Sequence, residues 1–195
     1  MEYNYDDYEF GEDDAHTEDR KGCRIHIKYD NDGENSPREW DNAGTIVDWH
    51  RNLIIGDKKI DGDWTISRRD NIVLPVYIYQ HGGITINTTG FHCDWDSGQV
   101  GWIYISRKDA VANWGKVRCT KAIEKRARNY LVGEVETLDN FFTGNVYGYV
   151  IEYPDGSEDS CWGYYPDHNE KPAYKGCLKE AQGIVDYWVS KQEEK

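Results

Sequence analysis

The run from Ile72 to Tyr79 (IVLPVYIY) is the most apolar segment of the chain, and Gly82 and Gly83 return it into Ile84 to Ile86. Two extended runs joined by a short glycine turn are typical of an antiparallel β-hairpin. A proline removes one hydrogen bond from a strand ladder, so Pro75 predicts an edge strand or a bulge. The chain is therefore organised around antiparallel strands.

A second hairpin and three helices complete the predicted architecture. The hairpin joins Asn145 to Tyr153 with Ser157 to Tyr165 through a Pro-Asp-Gly turn. Shorter strands are predicted at Arg24 to Tyr29, Gly44 to Trp49, Leu53 to Ile55 and Trp102 to Ser106. Helices are predicted at Lys108 to Trp114 after the N-cap Ser106, beyond the N-cap Thr120, and from Tyr174 to Lys191. We expect an α+β fold, mainly an antiparallel sheet of about seven strands with three helices, forming a single domain over residues 21–195.

The first 20 residues form an acidic tail. Residues 1–19 contain nine carboxylates and no lysine or arginine, so they contribute most of the net charge of −13. Dense like charge with few aliphatic side chains predicts disorder in residues 1–20. The tail also carries aromatic rings, so it is either a solubilising leader or an arm that binds a basic groove through charge and stacking. The candidate partner-binding residues in this arm are Tyr5, Asp6, Asp7, Tyr8, Asp13 and Asp14.

Outside the tail the chain is close to neutral, which disfavours direct nucleic-acid binding, because phosphate affinity comes mainly from clustered lysine and arginine. The five cysteines are odd in number, widely spread and without a Cys-x-x-Cys pair, a pattern that favours a reducing cytosol over a disulfide framework. No apolar run approaches the roughly 18 residues of a membrane span. No nucleotide-binding glycine loop is present, and we predict no cofactor.

The segment from Phe91 to Gly101 (FHCDWDSGQVG) has the highest density of chemically active side chains. An exposed Asp94, Trp95 and Asp96 would suit partner binding. A second interpretation is nucleophilic catalysis by Cys93, with His81 as base and Asp96 as its orienting group. The residues also fit a packed cysteine followed by a simple turn into a strand, in which case they have no chemical role.

Metal binding is a further interpretation of the same region. Asp94 and Asp96 are hard oxygen ligands two positions apart, and His81, His92 and Cys93 with the distant His50 are softer ones. The same aspartates are equally typical of a turn whose side chains cap their own backbone. We therefore assign no metal ligand.

Several phrases of the sequence resemble a group of small proteins encoded by bacteriophages and prophages. They are SPREWDNAGTIV (Ser36 to Val47), LPVYIYQHGGITINTTGF (Leu74 to Phe91), CDWDSGQVGWIYIS (Cys93 to Ser106), GEVETLDNFFTGNVYGYVIE (Gly133 to Glu152) and DSCWGYY (Asp159 to Tyr165). The resemblance spans about residues 36–165. It implies a phage origin. Together with the cysteine pattern, this predicts a location in the host cytoplasm. No activity is established for the group, so the resemblance implies no residue roles.

These observations favour a non-enzymatic interaction protein that binds a host or phage protein with a basic groove in the cytosol. An inhibitor of a nucleic-acid-binding or defence protein that uses the acidic arm is one concrete form. The alternative is a cysteine-dependent or metal-dependent hydrolase centred on Cys93, His81 and Asp96. A third possibility is a structural phage component that self-associates. The sequence leaves the oligomeric state and the identity of the partner open.

Overall fold

A computed structural model describes residues 14–30, 36–61, 64–115, 117–167 and 169–193. Within these residues the chain forms nine strands and three α-helices. The strands are β1 (His16–Arg20), β2 (Cys23–Tyr29), β3 (Thr45–Asp48), β4 (Lys58–Lys59), β5 (Asn71–Gln80), β6 (Ile84–Asn87), β7 (Ser97–Ser106), β8 (Tyr147–Glu152) and β9 (Glu158–Tyr164). The helices are α1 (Arg107–Asn113), α2 (Lys121–Phe142) and α3 (Lys175–Glu193). The predicted α+β class with three helices is confirmed.

The chain folds into two compact units. Unit 1 combines residues 1–34 with residues 144–195, and unit 2 comprises residues 35–143. Unit 2 is thus inserted in sequence between β2 and β8, which are neighbouring strands of unit 1. The strands accordingly divide between two sheets, one in each unit. The single domain expected for residues 21–195 stays a prediction.

Unit 1 is a four-stranded antiparallel sheet with one helix on it. The strand order is β1-β2-β8-β9. Alternate residues of β2, Cys23, Ile25 and Ile27, point into the core. The period-two pattern predicted this for Ile25 and Ile27. Helix α3 covers this face with a stripe that includes Cys177 and Ala181. The helix is stable because this apolar stripe is buried against the sheet.

Unit 2 is a five-stranded sheet in the order β4-β3-β7-β5-β6, covered by α2. All pairings are antiparallel except that of β3 with β4. Pro75 lies in the part of β5 that β6 does not reach, one residue before a register shift between Val76 and Tyr77. Pro75 pairs with Trp102 of β7 on one side only, so it lies at an edge of the sheet next to a bulge, which agrees with the predicted edge or bulge.

A buried ion-pair network fixes the loop that enters unit 2. Arg38 donates to a Glu134 carboxylate oxygen at 2.9 Å and pairs with both carboxylate oxygens of Asp57. The other Glu134 oxygen accepts the backbone N–H groups of Ala43 and Gly44 at 2.8 and 3.0 Å. The phrase SPREWDNAG is therefore structural, because its arginine and its glycine bind a helix that follows about 90 residues later.

The prediction of disorder for residues 1–20 is wrong for its last five residues, which form strand β1. Arg20 makes a two-armed hydrogen bond to the Asp186 carboxylate at 3.0 and 2.8 Å, and Gln182 donates to Glu18. Asp186 and Gln182 of α3 thus bind the charged groups of Arg20 and Glu18, which would otherwise be hydrated by water. Residues 1–13 lie outside the described part of the chain.

Two other boundaries differ from expectation. Leu53 to Ile55, predicted as a strand, is a loop whose backbone binds a side chain rather than a neighbouring strand. Strand β7 begins at Ser97, five residues before the predicted start. The predicted N-caps are confirmed, because the Ser106 and Thr120 hydroxyls accept the N–H groups of Asp109 and Ile123.

Candidate functional site

The Asp94, Trp95 and Asp96 predicted for partner binding form a turn directly before β7. The Trp95 side chain is 95% exposed, the largest exposed fraction of any described tryptophan. Asp94 is exposed on one side of it and Asp96 is half-buried on the other. An indole in water leaves a large apolar surface unburied, and tryptophan is among the residues that contribute most to protein interfaces.

The turn is tied to the end of β5. The Gln80 N–H donates to the Asp96 carbonyl oxygen at 2.9 Å. Within the turn, the Ser97 hydroxyl donates to the carbonyl oxygen of Cys93. These bonds hold the backbone on both sides of Trp95. The indole is therefore presented from a fixed backbone, which lowers the conformational entropy lost when a partner binds it.

The structure brings Cys93, His81 and Asp96 together, but not in the order that thiol catalysis requires. The Asp96 carboxylate lies 4.0 Å from the Cys93 sulfur and 3.4 Å from Nδ1 of His81. Both groups meet the same oxygen, Oδ2 of Asp96. A catalytic triad places the imidazole between the thiol and the carboxylate, so that the base reaches the nucleophile. The His81 side chain is 74% exposed.

Metal ligation is not supported by the positions of the residues considered for it. Across the described residues, no three histidine, cysteine, aspartate or glutamate side chains are grouped so that they could hold a metal ion. His50 instead contacts Gln80, with Nε2 3.0 Å from Oε1, and its Nδ1 accepts the Leu53 N–H at 3.2 Å. The imidazole of His50 thus orders a loop.

A second loop lies next to the same end of β5 and displays two further apolar side chains. Trp49 is 39% exposed and Ile54 is 78% exposed. The hydrogen bond from His50 to Gln80 connects this loop to the strand end that also holds the Asp96 turn. We name Trp49, Ile54 and Trp95 the loop surface. Trp49 and Ile54 were not predicted as surface residues, because the sequence patterns around them are typical of strands.

Asp48 holds this second loop in place. Its side chain is completely buried and accepts N–H groups from His50, Ile55 and Gly56 at 3.1 to 3.2 Å. The Lys59 ammonium lies 3.1 Å from Oδ1 of Asp48, the oxygen that also accepts the His50 N–H, and it donates to the Leu53 carbonyl oxygen at 2.6 Å. A fully bonded buried carboxylate fixes the loop that carries Trp49 and Ile54.

Of the predicted arm residues, Asp14 is described, whereas Tyr5, Asp6, Asp7, Tyr8 and Asp13 lie outside the described residues. The Asp14 carboxylate is 2.5 Å from Nδ1 of His26 and accepts the Thr17 hydroxyl at 3.0 Å. Partial burial raises the pKa of Asp14, but the hydrogen bonds from His26 and Thr17 outweigh it and leave the pKa below its ordinary value. Asp14 thus anchors the start of β1 to β2.

No family model matches this chain. Comparisons with curated proteins and with solved structures also return no match. The functional argument therefore rests on the geometry of the loop surface and on the distribution of charge. None of the helices in the described ranges has the length and apolar character needed to cross a membrane.

Proposed function

We propose that this chain is a phage-encoded, non-enzymatic interaction protein that binds a host or phage protein in the cytosol. The exposed Trp95, held between Asp94 and Asp96 on a fixed turn, is the observation that carries the proposal. Large exposed aromatic side chains on ordered loops are a feature of protein interfaces. Trp49 and Ile54 are further exposed apolar side chains on the loop that His50 connects to Gln80.

The chemistry of the turn defines the kind of partner. An indole flanked by two carboxylates fits an apolar slot with lysine or arginine at its rim. Such surfaces occur on proteins that bind nucleic acid, because those proteins cluster cations for phosphate. The proposed activity is therefore inhibition of a nucleic-acid-binding or defence protein by occupation of its basic groove.

The acidic arm adds long-range attraction to the same partner. Residues 1–13 contain six carboxylates, four aromatic rings and no cation. Opposite charge raises the association rate with a basic groove, and this effect weakens as salt is added. The arm accordingly acts on the rate of capture, whereas Trp95 acts on the lifetime of the complex.

The experiment is a pull-down from infected host lysate, followed by affinity measurements with the purified partner. Trp95→Ala is expected to weaken binding about 30-fold, the effect of losing an interface hot spot of about 2 kcal/mol. Deletion of residues 1–13 is expected to lower the association rate about tenfold at low salt. The deletion stops at residue 13 because His16–Arg20 is a strand of unit 1.

The matched control is Trp40→Ala, which removes a half-exposed indole elsewhere in unit 2. It is expected to leave the affinity unchanged. Equal affinity of the Trp95→Ala variant and the unmodified chain for the same partner would contradict the role of the turn. A specific DNA or RNA captured in place of a protein would contradict the partner class.

The alternative of a cysteine-dependent hydrolase is favoured by one observation, the meeting of Cys93 and His81 at Asp96. It requires a nucleophilic thiolate that reacts with alkylating agents. Native-state alkylation by iodoacetamide, read by mass spectrometry at low reagent concentration, tests it, with the exposed Cys161 as the reference thiol. Alkylation of Cys93 much faster than that of Cys161 would favour the hydrolase, and slower alkylation counts against it.

A further inference from the structure

Unit 1 contains a pocket that the interaction described above does not use. Its volume is about 210 Å³, and it lies where the start of β8, the end of β9 and the start of α3 meet residues 165–167 and 170–173. Three phenol rings and two carboxylates line it: Tyr147, Tyr164, Tyr165, Asp167 and Glu170. Ala173, Gly176 and Cys177 complete the wall beneath them.

The rings are held by their neighbours in unit 1. Tyr147 packs against Tyr29 and Tyr174 with ring centroids 5.1 and 6.2 Å apart, and Tyr164 packs against Tyr149 at 5.8 Å. Burial raises the pKa of Tyr147 to about 12, so its phenol is neutral at physiological pH. The pocket therefore presents neutral aromatic surfaces in fixed positions.

Gly176, which has no side chain, leaves room for the carboxylate of Glu170. A Cβ atom at Gly176 would lie 2.9 Å from Oε1 of Glu170, so only glycine at this position lets the carboxylate approach. The Gly176 N–H also donates to Oε2 of Glu170 at 3.3 Å. Glu170 is thus directed toward the pocket wall by the backbone.

The two carboxylates of the pocket accept backbone hydrogen bonds, and no salt bridge to a lysine or arginine of the described residues neutralises them. Asp167 accepts the Asn169 N–H at 3.1 Å and Glu170 accepts the Gly176 N–H, whereas Lys171 and Lys175, which are close in sequence, are exposed. Asp30 adds a further negative group, because it raises the pKa of Tyr165 after the larger effect of burial. Aromatic faces combined with carboxylates that have no salt-bridge partner attract an organic cation.

We infer that this pocket binds the alkylammonium group of a lysine side chain from the partner protein. The inference rests on the proposed function, since it supplies the basic partner with a specific contact in unit 1. The ring faces contact the methylene groups and the ammonium, and Asp167 and Glu170 supply opposite charge and acceptors for its three donors. The pocket volume accommodates an ammonium head with two or three methylene groups.

The test uses the full-length chain, n-butylammonium as the probe and 1-butanol as its neutral counterpart of equal length. Saturable shifts of the Gly176 and Cys177 amide signals in two-dimensional NMR are expected with butylammonium, with a dissociation constant on the order of millimolar. Binding of 1-butanol should be at least about tenfold weaker, because it lacks the charge. Equal binding of the alcohol would overturn the inference.

Glu170→Gln is expected to weaken butylammonium binding at least about fivefold, and Glu158→Gln, an exposed neutralisation on β9, is the matched control with no effect. Because Glu170 also bonds Gly176, Asp167→Asn provides a second neutralisation if the first variant does not fold. Unchanged binding in both folded variants overturns the inference. Tighter binding of n-butylguanidinium than of butylammonium would overturn the choice of lysine over arginine.

Different outcomes of these experiments would contradict the lysine-binding inference and the proposed function. Loss of probe binding in the Glu170 variant together with undiminished capture of the partner would overturn the partner lysine as occupant. Binding of the probe without capture of any protein would overturn the proposed function and leave a cation site of unit 1.

Discussion

Substitution of Asp48 tests whether one buried carboxylate holds the loop that carries Trp49 and Ile54. Asp48→Ala removes the acceptor for three backbone N–H groups and the partner of the Lys59 ammonium. The Ile55 N–H is buried, and in the Asp48→Ala variant it would have no hydrogen-bond acceptor, because water does not reach this position. The Gly56 and His50 N–H groups are half-buried and recover part of their hydrogen bonding from solvent.

The expected loss follows from these contacts. One stranded buried donor costs about 1–3 kcal/mol, and the Lys59 ammonium, whose side chain is 41% exposed, loses a partly screened ion pair worth about 1 kcal/mol or less. We therefore expect Asp48→Ala to lower the free energy of unfolding by about 2–4 kcal/mol. Asp48→Asn preserves the volume and one acceptor oxygen, and its expected loss is about 2 kcal/mol.

Urea denaturation followed by far-ultraviolet circular dichroism measures both losses. Asp61→Ala is the control, because Asp61 is exposed and its carboxylate is not among the bonded groups of the described residues, and it should change stability by less than about 0.5 kcal/mol. A loss below about 1 kcal/mol for Asp48→Ala would refute the argument that this carboxylate stabilises the loop. Hydrogen exchange should also become faster at the Ile55 amide.

Three other outcomes follow from individual contacts. Gly101→Ala would place a Cβ atom 2.3 Å from the Val47 carbonyl oxygen, so β3 and β7 must move apart. We expect the free energy of unfolding, measured by urea denaturation, to fall by about 3 kcal/mol. Hydrogen bonds from Arg20 and Lys21 lower the pKa of Asp186 from 3.8 to about 2. The ionised Asp186 therefore stabilises the fold fully above pH 4, and this stabilisation is lost as the pH falls through about 2. The free energy of unfolding of the Asp186→Asn variant should lack this decrease when it is measured as a function of pH. Burial raises the pKa of the Cys177 thiol to about 12, so iodoacetamide at pH 8 should spare Cys177 in the native chain.

Local patterns were sufficient for most elements of the fold. Several of these patterns depend only on residues a few positions apart in sequence. They are the alternation of Ile25 and Ile27, the N-caps Ser106 and Thr120, and the apolar stripe of α3. Strand β1 could not be predicted in this way, because it depends on the bond between Arg20 and Asp186, which are 166 residues apart. The division into two sheets also depends on distant pairing, since β2 pairs with β8 across the whole of unit 2.

The candidate site shows the same limit. The Asp94 to Asp96 turn was predicted from its composition, whereas the bonds that fix it come from Gln80 on another strand. Asp48 looked like an ordinary strand residue, and only the folded chain shows that it binds the loop after it. The tyrosine pocket is assembled from β8, β9 and α3, so no single stretch of sequence contains it.

For the proposed interaction, the distribution of charge predicts different roles for the two units. Unit 2 has 14 acidic and 14 basic residues, so the entire net charge of −13 belongs to unit 1. Attraction between exposed charges is screened over about 8 Å at physiological salt, whereas apolar burial is nearly insensitive to salt. Deletion of residues 1–13 should therefore flatten the salt dependence of affinity for the purified partner. Trp95→Ala should lower the affinity by the same factor at every salt concentration. If the Trp95→Ala effect disappeared in high salt, Trp95 would not act through burial of its indole, and the assignment of the apolar contact to unit 2 would be wrong.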